Sequence, residues 1–482
     1  MAGAFLHAIL FSCGLLAVGL ALRAKLRLMR LLYIPASVIA GAIGLVLVQA
    51  GLRLGAADVV KPVSSELAGW PSWLIAIVFA ALLLERSSGK GFVEAIRRGA
   101  RSGVLAWIII LGQILIGLVV YLLVVKPYHP QIPAVFGQLL EVSWAGGHGS
   151  SAAMGDVYAA LEFGQGKDLA FLLATTGLVY GVLSGLVLVN LAIRRGWVRG
   201  GGVQRVQSVT GLEPRHNSPP VAFAKTRPEV LEPLALQAII LAAAFGMGYL
   251  LQQLFIGGAE LVLGANNPAI KGEPIDFAMN VPLFLFTLLG GLLVREAMRL
   301  LRIDDLIDSA SLHRLVGLAM EFLIVAAIAT IRIEAVQTFL LPILLLVLLA
   351  GAWSAFCLLV LARRLLPQAY WFELGLLNYG FSTANTPQGL MLLRIVDPDL
   401  QSGAAEDYAV AAPLSAPFVG GGVITIVVLP LILQQTGAAV VAAAVALLIA
   451  GFILLGSLLS RRAPASRAPA QAVQAPASDA AG

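Results

Sequence analysis

The sequence contains few charged residues and few cysteines. Of its 482 residues, 12% are charged and 59% are hydrophobic, whereas about 25% of an average soluble domain is charged. So little polar surface cannot cover a soluble globule, and the apolar runs are long enough to cross about 30 Å of hydrocarbon. The composition therefore predicts an all-α integral membrane protein.

Both cysteines, Cys13 and Cys357, lie in apolar runs, and the sequence has no C-x-x-C spacing. It therefore lacks a disulfide framework and a cysteine metal motif, and we expect no cofactor other than a coupling ion. A G-x-S-x-G nucleophile motif is also missing. An intramembrane hydrolase that uses the His, Ser and Asp of residues 141–156 is therefore disfavoured, and we expect that the protein is not an enzyme.

Apolar runs bounded by charge, Gly or Pro predict about eleven membrane-spanning helices. They lie near residues 4–22, 31–50, 70–85, 102–125, 169–193, 233–256, 279–298, 315–332, 336–361, 408–434 and 437–459. Lys and Arg concentrate in every second loop between these spans, as they do in cytoplasmic loops. The net charge of +6 therefore indicates topology rather than nucleic-acid binding, with the N-terminus outside and the C-terminus cytoplasmic.

Three segments lie outside the two halves of the chain. Residues 196–232 form a basic linker containing Gly and Pro, which we place in the cytoplasm. Residues 436–460 supply one extra C-terminal transmembrane helix. The tail, residues 461–482, is rich in Ala, Pro and Ser, so it cannot build a core and is expected to be disordered.

Two stretches break the apolar pattern with glycine and polar residues, 141-EVSWAGGHGSSAAMGD-156 and 373-ELGLLNYGFSTANTPQGLM-391. Aligning their first glutamates also aligns Ser150 with Ser382. Both stretches are too short and too broken to cross the membrane as ordinary helices. We therefore predict two re-entrant hairpins, near 133–156 and 372–394.

Each broken stretch falls between the fourth and fifth span of its half, so residues 1–195 and 233–435 form a repeat. Five spans are an odd number, so the second half enters the membrane from the opposite side. Such an inverted-topology repeat is typical of secondary transporters, and the two hairpins would meet near the midplane.

The chemistry of the two hairpin tips suits a small ionic substrate. Half-helix N-termini present unpaired N–H groups to a carboxylate, and unwound carbonyls and hydroxyls suit Na⁺. The candidate substrate-binding residues are Gly147, His148, Gly149, Ser150, Ser151, Thr383, Asn385, Thr386, Pro387 and Gln388. The candidate sodium ligands are Gly146, Ser150, Ser382 and Thr383.

Some of these residues also have a plainer interpretation. Small residues line helix interfaces in membranes, so either stretch could be a packing site. His148 is equally suited to a hydrogen bond that holds the tip in shape, and Glu141 and Glu373 are expected to be solvated or structural. Glu321 is acidic and lies inside a predicted span, which makes it a functional candidate, but its place near the cytoplasmic end also suits an interface role.

Other transport classes fit the sequence less well. A cation/proton antiporter would need buried acids, often aspartates, and no Asp lies within a predicted span. A channel would also need polar residues, but opposed hairpins in an inverted repeat favour alternating access.

A family resemblance rests on three motifs: W-A-G-G-H-G-S-S-A-A, G-F-S-T-A-N-T-P-Q-G and 413-PLSAPFVGGG-422. With the twice-repeated plan of five helices and a hairpin, the chain resembles the bacterial sodium/glutamate symporter family over most of residues 1–435. The resemblance implies Na⁺-coupled uptake of glutamate across the bacterial inner membrane and a homodimer. It also implies a core domain that bears both hairpins and moves against a scaffold.

By position, 146-GGHGSS-151 matches the first tip of that family and 382-STANTPQG-389 the second. The chain departs from the family after the second tip, where it continues 390-LMLLR-394, and in its C-terminal helix and tail. These departures leave open the ion- or proton-coupled transport of another amino acid or of a dicarboxylate.

Overall fold

A computed structural model describes residues 2–31, 34–84, 92–198, 225–226, 229–263, 283–397, 400–412, 415, 418–422 and 424–461. Within these ranges the regular secondary structure is helical, and nine helices are long and apolar enough to cross a membrane. The structure therefore agrees with the predicted all-α membrane protein. Most of the predicted linker and nearly all of the predicted tail lie outside the described residues.

The first half of the chain contains seven principal helices. They are α1 (Ala2–Lys25), α2 (Ala36–Arg53), α3 (Ala57–Leu82), α4 (Phe92–Val120), α5 (Leu139–Trp144), α6 (Gly147–Ala160) and α7 (Gly166–Arg194). A π-helical turn, Tyr121–Val125, extends α4, and a 3-10 helix, Ala134–Gln138, leads into α5. Short helical pieces lie at Arg27–Leu31 and Lys126–Tyr128.

The second half contains corresponding helices. They are α8 (Pro233–Leu263), α9 (Leu283–Leu300), α10 (Ser309–Ala329), α11 (Leu340–Phe356), α12 (Trp371–Thr383), α13 (Thr386–Val396), α14 (Ala404–Ala411), α15 (Leu429–Thr436) and α16 (Ala438–Arg461). π-helical turns extend α11 and precede α15, at Cys357–Ala362 and Ile424–Val428. Short pieces lie at Asp304–Leu306, Ile333–Thr338 and Arg363–Leu365.

The helices pack as two bundles. Helices α1, α2, α3, α8, α9 and α10 contact one another and form the first bundle. The second bundle contains α4 to α7 and α11 to α16, with the extra C-terminal helix α16 packed along α4. The bundles touch where α3 and α10 meet α6, and α10 also contacts α7. Each half of the chain thus places its first three helices in the first bundle and its later helices in the second.

Glycines allow the closest helix contacts, as is common where small residues let membrane helices approach. Gly248 of α8 and Gly290 of α9 face each other, so that a Cβ on Gly290 would lie 2.6 Å from the Gly248 nitrogen. Gly291, on the next position of α9, lies against the Ala80 carbonyl of α3. The α3–α9–α8 contact therefore depends on the absence of side chains at these positions.

Two predicted spans differ most from the structure. The predicted span 70–85 is only the end of α3, which begins at Ala57. Residues 57–69 include Asp58, Lys61 and Glu66 and are therefore too polar to be recognised as part of an apolar run, although they are helical. The predicted span 408–434 is not one helix, because residues 418–422 are non-helical between α14 and the π-helical turn before α15.

We predict that Gly248→Leu destabilises the first bundle. A Cβ at Gly248 would lie 2.6 Å from the Thr287 nitrogen and 2.8 Å from the Phe286 carbonyl carbon, and such overpacking costs about 1–3 kcal/mol. Thermal unfolding in detergent should show a lower midpoint for this variant. Gly246→Leu on the same helix is the matched control, because nothing lies within 4 Å of its Cβ position. Equal midpoints for the two variants would contradict the packing assigned to α8 and α9.

Candidate functional site

The first broken stretch folds as two helices that are separated by a short interruption. Helix α5 ends at Trp144, Ala145 and Gly146 are non-helical, and α6 begins at Gly147. Gly147 has a φ of +66°, a backbone conformation that residues with a Cβ rarely adopt. The glycines predicted for the first tip therefore stand at a real break in the backbone.

The second broken stretch contains a similar interruption. Helix α12 ends at Thr383, and α13 begins at Thr386 with Pro387 as its second residue. Asn385 caps α13, because its Oδ1 accepts a hydrogen bond of 2.9 Å from the Gln388 backbone N–H. Pro387 stands in the first turn of α13, where its missing N–H leaves no intrahelical hydrogen bond unmade.

Helices α12 and α13 fold back on each other. A Cβ on Gly380 of α12 would lie 2.6 Å from the Gly389 Cα of α13, and a Cβ on Gly389 would lie 2.5 Å from the Leu377 carbonyl oxygen. The second stretch is therefore a closely packed helical pair whose turn contains Ala384 and Asn385.

The two breaks meet. A Cβ on Gly147 would lie 2.8 Å from the Ala384 carbonyl oxygen. Gly177 of α7 lies behind both, because a Cβ there would be 2.5 Å from the Thr383 carbonyl oxygen and 2.8 Å from Cδ1 of Trp144. Two segments more than 200 residues apart in the chain therefore place their interrupted backbones against one helix.

The sequence alignment that paired Ser150 with Ser382 is wrong in register. Ser150 follows its break and lies in α6, whereas Ser382 precedes its break and lies in α12. Glu141 and Glu373 each lie in the first turn of their helices, but α5 ends at Trp144, soon after Glu141, whereas α12 continues from Glu373 to Thr383. Small polar residues are frequent in both stretches, so a few matches between them cannot fix how the two stretches align.

Most polar residues of the first tip are hydrogen-bonded inside the second bundle. His148 Nε2 lies 3.0 Å from Thr175 Oγ1 of α7, and the His148 side chain is buried. The Ser151 hydroxyl donates to the Gly147 carbonyl at 2.9 Å. Gly149 faces the first bundle, where a Cβ would lie 3.2 Å from Cδ1 of Ile75. These contacts give His148 and Ser151 a role in holding the shape of the tip.

The second tip divides into a buried part and an exposed part. The Thr383 hydroxyl donates to the Tyr379 carbonyl at 3.1 Å, and the Ser382 carbonyl accepts a hydrogen bond of 2.7 Å from Gln113 of α4. The Thr386 hydroxyl lies 3.1 Å from the hydroxyl of Tyr408. Asn385 and Pro387, by contrast, are exposed.

The exposed part of the second tip opens into a cleft of about 420 Å³ between the two bundles. The first bundle contributes the end of α1, the start of α2 with the preceding Pro35, and α10, and the second contributes α7 and α13. The lining residues are Arg23, Pro35, Ala36, Leu178, Val182, Glu321, Asn385, Pro387, Gln388 and Met391. Of the residues predicted to bind substrate, Asn385, Pro387 and Gln388 line this cleft, whereas those of the first tip and the four predicted sodium ligands do not.

The cleft combines groups of opposite charge. Arg23 and Glu321 stand on the wall formed by the first bundle, opposite the amides of Asn385 and Gln388 at the N-terminus of α13. A helix N-terminus attracts negative charge, a guanidinium can pair with a carboxylate, and a carboxylate can pair with an ammonium group. The arrangement therefore suits a small molecule that carries both charges.

Neither the place of Arg23 in the cleft nor the role of Glu321 follows from the sequence alone. Arg23 follows an apolar run, so it was interpreted only as a topology determinant, and no local pattern marks it as a site residue. Glu321 did carry a signal, since it is acidic and lies inside a predicted span. In the structure Glu321 is exposed and lines the cleft.

Glu141 is fully buried, so a solvated role is wrong and a structural role is supported. Its Oε1 accepts hydrogen bonds from the Gly420 N–H, the Gly421 N–H and the Thr425 hydroxyl. These donors belong to the non-helical glycine stretch and to the π-helical turn that follows it. Both glycines have positive φ, which frees their N–H groups from helical pairing. Glu373 is likewise buried.

Comparisons of the chain with models of known protein families and with curated protein sequences found no match. Within the described residues, no group of three or more His, Cys, Asp or Glu side chains could hold a metal ion.

We predict that Gly147→Ala destabilises the junction of the two tips. Alanine at φ +66° costs about 1–2 kcal/mol, and its Cβ would also press on the Ala384 carbonyl oxygen at 2.8 Å. Thermal unfolding in detergent should show a lower midpoint than for the wild type. Gly164→Ala is the control, since nothing lies within 4 Å of its Cβ position. An unchanged midpoint in Gly147→Ala would show that the tips do not meet as described.

Proposed function

We propose that the protein is a secondary active transporter that carries glutamate with sodium across the bacterial inner membrane by alternating access. The observation that carries this proposal is the polar cleft between the two bundles, placed beside the junction of two interrupted helices. Irregular backbone within a membrane is tolerated where protein or a water-filled cavity shields it. Transporters place their substrate sites at such interruptions.

The distribution of helices supports an inverted repeat. The first three helices of each half belong to the first bundle, and the fourth helix, the broken pair and the fifth segment belong to the second. Both fourth helices also end in a π-helical turn, at Tyr121–Val125 and Cys357–Ala362. In this proposal the two broken pairs are re-entrant hairpins from opposite faces, with the N-terminus outside and the C-terminus in the cytoplasm.

The division into bundles also supports the mechanism that the family resemblance implies. The second bundle holds both broken pairs and would be the moving core, and the first would be the scaffold and the site of homodimer contacts. The cleft lies between them, so movement of one bundle against the other changes which face of the membrane it opens to.

The charges of the cleft fit glutamate. The substrate has two carboxylates and one ammonium group, and the cleft offers Arg23, the N-terminus of α13 and Glu321. In the proposed pose the carboxylates face Arg23 and the Asn385–Gln388 turn, and the ammonium group faces Glu321. A dicarboxylate lacks the ammonium group and would leave Glu321 beside an unbalanced negative charge, which disfavours that alternative.

Coupling to sodium removes the cost of moving the substrate's net negative charge alone. If more than one Na⁺ enters with each glutamate, every net positive charge moved inward gains about 2.3 kcal/mol per 100 mV of membrane potential. Glutamate and sodium are expected to share the region of the tips, where backbone carbonyls of the breaks supply oxygen ligands.

Uptake of radiolabelled substrates into proteoliposomes tests this function. We predict sodium-dependent glutamate uptake, and a KM about 10- to 100-fold higher for Glu321→Gln, because a hydrogen bond to a charged group contributes about 1.5–3 kcal/mol. Glu334→Gln is the control, since Glu334 is exposed and does not line the cleft. Preferred uptake of a dicarboxylate by the wild type, or an unchanged glutamate KM in Glu321→Gln, would contradict the proposed substrate pose.

The inverted arrangement predicts that the two broken pairs are approached from opposite faces. Cysteines are introduced singly at Gln131 and at Gln368, which are exposed just before the first and second pair. The background carries Cys13→Ala and Cys357→Ala. A membrane-impermeant maleimide should label Gln131→Cys in intact cells and Gln368→Cys only in inside-out vesicles. Labelling of both from the same side would exclude the inverted repeat.

A further inference from the structure

Glu141 has one oxygen with several donors and one with none. Its Oε1 accepts from the Gly420 N–H at 2.6 Å, the Thr425 hydroxyl at 2.9 Å and the Gly421 N–H at 3.3 Å. Its Oε2 is buried and has no hydrogen-bond partner among the described residues. Gln138, one helical turn earlier, donates from Nε2 to the Thr425 carbonyl at 2.9 Å, and its Oε1 also lacks a donor.

Among the described residues, no positive charge lies near enough to Glu141 to balance an ionised carboxylate. Helix α4, which packs on α5, has no ionisable residue between Ser102 and Val120, and residues 418–436 have none. Tyr158 of α6 lies close enough to interact electrostatically with Glu141. Its hydroxyl is uncharged and has no hydrogen-bond partner among the described residues.

The other ionisable groups on the helices that pack against α5 are engaged elsewhere. On α6, His148 contacts Thr175, and Asp156 accepts a hydrogen bond from Ser72. On α7, the titratable groups near the first stretch are also occupied. The Lys167 ammonium donates to the Ala68 carbonyl, Asp168 pairs with Arg332, and the Tyr180 ring stacks on Trp144.

An ionised Glu141 would therefore leave a buried, charged oxygen without a donor or a cation among the described residues, which is strongly unfavourable. A sodium ion is no remedy, because Oε2 is closed off from solvent-sized space. A proton needs no space. It also removes the charge from Oε2, while Oε1 keeps its three hydrogen bonds as the carbonyl oxygen of the acid.

We propose that Glu141 is a proton-binding site, occupied in this conformation through Oε2, and that its proton takes part in the transport cycle. The second part rests on the proposed function. When the glycine stretch 418–422 moves and water reaches the carboxyl group, the O–H bond at Oε2 breaks. The proton passes to water, and the electron pair stays on the carboxylate. Rebinding of a proton from water restores the closed arrangement. This site is separate from the cleft that contains Glu321.

Infrared spectroscopy of the full-length protein in lipid tests the proton site without transport. The wild type at neutral pH should show the C=O stretching band of a protonated carboxylic acid, and Glu141→Gln should lose it. Glu373→Gln, a buried carboxyl group on the other broken pair, is the control and should keep it. Absence of the band in the wild type, or its persistence in Glu141→Gln, would overturn the proposal. If Glu141→Gln does not fold, the presence of the wild-type band and its pH dependence still test the proton site.

Proteoliposomes loaded with a pH-sensitive dye test the coupling. Glutamate uptake by the wild type should change the internal pH, and Glu141→Gln, which mimics the neutral acid, should show no such change. If the wild type takes up glutamate without changing the internal pH and still shows the infrared band, the coupling is overturned. Glu141 would then be a permanently neutral acid. Failure of the wild type to take up glutamate would contradict the proposed function, whereas the infrared band decides the proton site independently.

Discussion

The contact between Gly147 and the Ala384 carbonyl holds the site together. It joins two breaks from opposite halves of the chain, and the close approach is possible because Gly147 has no Cβ and adopts a positive φ. Gly177 of α7 supports both breaks from behind. Since a side chain at any of these positions would force the segments apart, the geometry around Asn385 and Gln388 depends on this glycine contact.

The two acidic residues Glu141 and Glu321 serve different purposes. Glu141 lies deep in the second bundle and binds the glycine stretch of the fifth segment, so it ties the first broken pair to residues 420–425. Glu321 and Arg23 instead belong to the first bundle and line the open cleft. One carboxyl group thus organises the core, and the other is available to a ligand.

Hydropathy and charge predicted the class of fold, because a lipid-facing chain must satisfy its backbone within helices. The glycines and polar residues of the two broken stretches predicted both breaks. The extent of α3 was not predictable, since residues 57–69 are too polar to resemble a membrane span. The interruption at residues 418–422 depends on a tertiary contact with Glu141, which lies about 280 residues earlier and leaves no local pattern. Arg23 was not predictable either, because the packing of the two bundles, and not its neighbours in the sequence, places it in the cleft.

The two walls of the cleft belong to different bundles, and this has a mechanical consequence. Arg23 and Glu321 are fixed to one wall, and Asn385 and Gln388 to the other. A ligand held by both walls is bound fully only at one relative position of the bundles. In the proposed transport cycle, sliding of one bundle against the other would divide the ligand's contacts between two separating bodies. Weaker binding of the ligand and movement of the carrier would then be a single event that needs no additional gate.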